Sequence, residues 1–183
     1  MLQQTAVELL TIFRHLEIEE FRSEVTIVTT DFEALYAYKR GDYQRCLELS
    51  TQNIRTLLSG KASGVTSVET TPEFIQLMDD EAVSLIALIM IVNPEGRYQS
   101  YSPLITCFTQ LTLSVYLRAQ CQLKLCPSPM SIAKTQDYIE DAKKRQPFQW
   151  TLNTMMLRLT EYKLLAYSYA AYKTSRRLLD LLI

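Results

Sequence analysis

The run Lys39-Arg40-Gly41-Asp42-Tyr43 constrains the fold of this chain more than any other stretch. Gly41 supplies the left-handed backbone that ends a helix, and the Asp42 carboxylate stands where it can cap the next one. Residues 30–58 are therefore expected to form two short helices folded back on each other. Thr30-Asp31-Phe32-Glu33 has the form of a capping box, which predicts a first helix from about residue 31 to 40. In the second, Tyr43, Cys46, Leu47, Ser50, Ile54, Leu57 and Leu58 fall on one stripe, and Gln44, Arg45, Glu48, Gln52 and Arg55 lie mostly off it.

The remaining chain reads as helix throughout. Residues 5–21 carry Ala6, Leu9, Leu10, Phe13 and Leu16 at helical spacing, and 25–28 are either an extended link or the start of the next helix. Thr71-Pro72, Ser102-Pro103 and Ser128-Pro129 each set a hydroxyl before a proline, the pattern of a helix start. They predict helices over about 72–92, 103–125 and 129–145. In the second of these Leu104, Phe108, Leu111, Val115 and Leu123 are expected inward, and in the third Ile132, Thr135, Ile139 and Ala142. Residues 148–183 form one long helix or break near Thr174-Ser175, with Trp150, Met155, Leu159, Tyr162, Leu165, Tyr169 and Tyr172 as its notable apolar and aromatic positions. Residues 59–70 read as a loop rich in Ser, Thr and Gly. Four glycines in 183 residues and no sustained strand alternation complete an all-α expectation. About seven helices are expected in antiparallel succession, in one domain spanning 1–183. The apolar end at 178–183 fits a packed helix or a piece of a longer chain.

Composition excludes several function classes. Nineteen Lys and Arg against 20 Asp and Glu leave no global field for nucleic acid or an anionic membrane. The most apolar run, residues 83–92, spans about 15 Å as a helix, half a bilayer core, and reads as a central core helix. No secretory leader is evident, and Cys46, Cys107, Cys121 and Cys126 lack a CxxC pair, so reduced thiols in a cytoplasmic protein are expected. His15 is the only histidine, and neither metal nor cofactor is expected. Asp79-Asp80-Glu81 with Glu73 reads as a solvated face, because adjacent carboxylates on a helix diverge.

Residues 37–50, AYKRGDYQRCLELS, resemble the inter-helix turn of the tetratricopeptide repeat. Gly41 matches the turn glycine, Tyr43 the aromatic packed between helices, and Cys46 the small-residue position. Asn53 replaces the second alanine, Ala34 takes the first helix's glycine position, and no proline follows Leu58. A weaker echo lies at about 130–147, where Ala142 and Pro147 have the family's alanine-to-proline spacing. The resemblance implies a degenerate α-solenoid of stacked helical hairpins. It also implies a non-enzymatic scaffold or adaptor that binds a peptide segment of a protein partner on a concave face, with Leu35, Tyr38 and Lys39 at groove positions. The alternative is an RNA-associated module that uses the cations Lys143, Lys144 and Arg145, with the late tyrosines stacking on bases. The plain reading of those residues is helix-end cations and core aromatics.

Overall fold

The computed structural model describes residues 22–59, 67–68, 78–92, 108–145 and 151–180. The elements are α1 (Arg22–Lys39), α2 (Tyr43–Leu58), β1 (Ser67–Val68), α3 (Asp80–Val92), β2 (Phe108–Thr109), α4 (Gln110–Lys124), α5 (Pro129–Arg145) and α6 (Thr151–Asp180). The fold is all-α, and among the described residues the strand structure is a two-residue antiparallel pairing of Ser67 with Thr109 and Val68 with Phe108. These six helices correspond to the last six expected. The first, at 5–21, lies outside the described residues, as do Thr71-Pro72, Ser102-Pro103 and Trp150.

The α1/α2 turn forms as its residues dictate. Asp42 N donates to Ala37 O and Gly41 N to Tyr38 O, the paired bonds of a Schellman exit, with Gly41 at φ +79°. Asp42 then caps α2 by accepting from Arg45 N at 3.1 Å. The capping box at 30–33 is not used. α1 begins at Arg22 and runs through it, so the Thr30 hydroxyl bonds back to Thr26 O at 2.6 Å instead of opening a helix.

A second hairpin, α4/α5, repeats this construction with different residues. Cys126 takes the left-handed conformation, at φ +51°, in place of a glycine. Ser128 opens α5 by accepting from Ser131 N, with Pro129 in the first turn. The inward residues of α5 are Ile132, Thr135, Ile139 and Ala142, as its spacing predicts.

Two expectations are corrected at the core. The apolar run 83–92 is not the central helix: α3 lies at the edge, with Ala82 and Ile86 buried but Leu88 and Ile91 exposed by 54% and 70%. Its cap is Asp79, which accepts from Ala82 N at 2.9 Å, so that carboxylate has a structural task. The centre is α4, which packs on α1, α2, α5 and α6 and is buried from Thr112 to Gln122. It starts at Gln110 under a Thr109 cap, later than Ser102-Pro103 predicts.

Because α4 is covered on every side, its polar side chains must find partners inside. Ser114 donates to Asp31 Oδ1 of α1 at 2.7 Å. Arg118 donates from Nε to Thr135 Oγ1 of α5 at 3.0 Å and from Nη1 to Thr51 Oγ1 of α2. Gln122 donates to Ser131 O at 3.1 Å and accepts from Thr135 Oγ1 at 2.7 Å. Two apolar clusters flank this polar seam. One joins Leu35, Leu49, Ile86, Leu113, Tyr116 and Met156. The other joins Ile54, Val115, Ile139, Leu157 and Leu164.

Candidate interaction surface

The three residues expected at a peptide groove do not share one open surface. Leu35 is wholly buried, so it lines no open surface and is corrected to a core residue. Tyr38 is half-buried, its ring edge-on to Tyr43 with centroids 5.7 Å apart. Burial raises the Tyr38 phenol, and the nearby Asp79 carboxylate raises it further. Asp79 is the cap of α3, and Met78 and Ala82 belong to the same apolar cluster as Leu35. The start of α3 thus lies over the face that the resemblance assigned to a peptide. Of the three groove residues only Lys39 is exposed.

The turn residues have structural work. Gly41 and Tyr43 act as described, and Cys46 is fully buried on α2 against Cys121 of α4. The neighbouring Cys121 thiol together with burial pushes the Cys46 thiol far up. Sequence spacing compares Cys121 with Cys126; the spatial neighbour, 75 positions away, carries no local signal.

Each cation at the end of α5 has local partners. Lys143 Nζ meets Glu140 and Glu161 carboxylates at 2.9 Å each. Burial alone would lower the Lys143 ammonium, but these two bonds outweigh it and raise it. Lys144 lies 3.6 Å from Asp141. Arg145 donates to the carbonyls of Leu57 and Leu58 at 3.2 and 3.0 Å, closing the C-terminus of α2. These three side chains serve as helix-end cations, and Lys144 and Arg145 remain exposed.

Among the described residues, α6 exposes a run of large apolar side chains. This helix is continuous over 30 residues, and Thr174 and Ser175 do not restart it: their hydroxyls donate back to Ala170 O and Ala171 O. Leu152, Met156, Leu157 and Leu164 face the core. Most of the late aromatics do not. Tyr162, Leu165, Tyr169 and Tyr172 are 67%, 48%, 67% and 62% exposed, so the core-aromatic expectation is corrected. Met155, Arg158, Tyr162, Leu165, Tyr169, Tyr172 and Arg176 follow one another at alternating intervals of three and four and are all exposed. That spacing confines them to an arc of about 100° along roughly 30 Å of helix. From Tyr169 to Arg177 every residue is exposed, so the tip stands clear of the body. Among the described residues Arg158, Lys173, Arg176 and Arg177 have no carboxylate partner, and Glu161 is held by Lys143.

Among the described residues no group of His, Cys, Asp and Glu could hold a metal ion, and no helix is long and apolar enough to cross a membrane. In comparisons with known proteins, no family model, curated protein or solved structure matches this chain.

Proposed function

We propose that the chain is a non-enzymatic interaction scaffold of tetratricopeptide-like hairpins that docks on a protein partner through the exposed face of α6. In this reading α1/α2 and α4/α5 are two degenerate repeats of a solenoid, α6 closes the stack, and α3 with its flanking segments is an insertion between repeats. Two features support the stacking: α4 packs on both helices of the first hairpin, and each hairpin turns through one left-handed residue.

The observation that carries the docking role is the exposed series of three tyrosines, a leucine and a methionine at 3-4 spacing on a helix whose opposite side is already buried. An apolar strip of this kind on a protruding helix fits a groove, with Tyr contributing large contact area at low entropic cost. Charge defines the partner further. Four cations without partners border the strip, so the complementary groove is apolar with carboxylates at its rim.

The test replaces Tyr162, Leu165, Tyr169 and Tyr172 together with serine. Helix content and melting temperature should hold, and photo-crosslinks placed at Ala166 to an acidic-groove partner should disappear. Crosslinks retained in the quadruple variant would reject the reading. So would salt-sensitive binding of single-stranded RNA lost in that variant, which would assign the tyrosines to base stacking instead.

A further inference from the structure

A cleft of about 570 Å3 opens between α2 and α4, lined among others by Gln44, Glu48, Thr51, Gln52, Arg55 and Arg118. Arg118 forms part of its floor and is only 6% exposed. A guanidinium has five N–H donors. The Nε donor goes to Thr135 and one Nη1 donor to Thr51, which leaves three without a protein acceptor. The side chain is held still by those two bonds and by the Tyr138 ring, whose centroid lies 5.4 Å from its Cζ.

No carboxylate compensates this charge among the described residues. Glu48 shares the wall but makes no ion pair among the described residues; it accepts from Gln44 Nε2 at 3.2 Å. Burial lowers the Arg118 pKa; Tyr138 acts against this, and the neighbouring Arg55 guanidinium adds to it. The pair is thus two like charges at one cleft, one of them stripped of water, an arrangement that an incoming anion relieves.

We propose that this cleft is a binding site for a phosphomonoester, gripped by Arg118 from the floor and Arg55 from the rim. Two guanidinium forks match the charge and the three terminal oxygens of a phosphate dianion better than a single carboxylate does. The exposed Gln52 amide supplies a neutral donor beside them. The cleft exceeds what one phosphate group fills, so the phosphate belongs to a larger molecule: a free small monoester or a phosphorylated side chain of a peptide. This site lies on α2 and α4 and does not depend on the docking face of α6.

Calorimetric titration at constant ionic strength tests it, with inorganic phosphate, O-phosphoserine and a short phosphoserine peptide as probes and the unphosphorylated peptide as control. Saturable binding of the phosphorylated probes is expected. Arg55→Gln should weaken it about tenfold while leaving the melting temperature unchanged, because Arg55 is exposed. Arg118→Lys keeps the charge and loses the fork, and it should weaken binding similarly. If the peptide binds more tightly than O-phosphoserine, a modified side chain is the source; equal or weaker binding names the free monoester. No saturable binding of any phosphorylated probe, or binding unchanged in Arg55→Gln, overturns the proposal.

Discussion

Asp31 is a carboxyl group enclosed among α1, α2 and α4, with one oxygen bonded to Ser114 and the other, Oδ2, lacking a partner. Burial raises its pKa from 3.8 to about 7, and the Ser114 hydroxyl and the nearby Asn53 amide offset only part of that. The native state therefore holds a proton that the unfolded chain releases above pH 4. The corresponding stabilisation is fully present below pH 4 and is lost as the pH rises through about 7, on the order of 4 kcal/mol in all. Chemical denaturation between pH 5 and 8 should show stability falling with pH. Asp31→Asn, which stays neutral, should flatten that slope and stabilise the protein at pH 8; an unchanged slope would place the titration elsewhere. Gly41 makes a simpler case. A Cβ there would meet nothing within 4 Å, so only the positive φ resists substitution. Gly41→Ala should cost about 1–2 kcal/mol in denaturant melts, with binding properties intact.

At the scale of elements, legibility divides by how local the determining physics is. The α1/α2 turn and the whole of α5 are readable because caps, a first-turn proline and an i, i+3, i+4, i+7 pattern act within a few residues. α4 escapes that reading. A helix buried on all sides has no polar face to set the phase, and two of its buried polar side chains find partners from afar: Ser114 bonds Asp31 and Arg118 bonds Thr51, 83 and 67 positions away. α6 fails differently, since both of its faces carry apolar residues and spacing alone does not say which one meets the body. Its outer face contributes nothing to the core, whereas Leu157 is fully buried. Leu157→Ala should destabilise by about 2–5 kcal/mol, measured by thermal or urea unfolding. The Arg55–Arg118 pair was invisible for the same reason as α4. In sequence they are two ordinary cations far apart, and only burial of one beside the other makes a site.

For the molecule as a whole, the body ends before its longest helix does. Truncation after Ser168 removes the exposed stretch from Tyr169 to Arg177, so the melting temperature should move by no more than a few degrees while docking through Tyr169 and Tyr172 is lost. A large loss of stability on truncation would mean that the tip is braced by something beyond the surfaces described. The order in which the parts are made matters as well. The first hairpin is complete at Leu58, yet the partners of Asp31, Cys46 and Thr51 belong to α4, which ends at Lys124. During synthesis the ribosome must add the 66 residues between 58 and 124, a delay on the order of several seconds, before that hairpin can close its interior. Until then the part of its inner face that α4 covers is open, and a chaperone that shields newly made chains would find a client surface there.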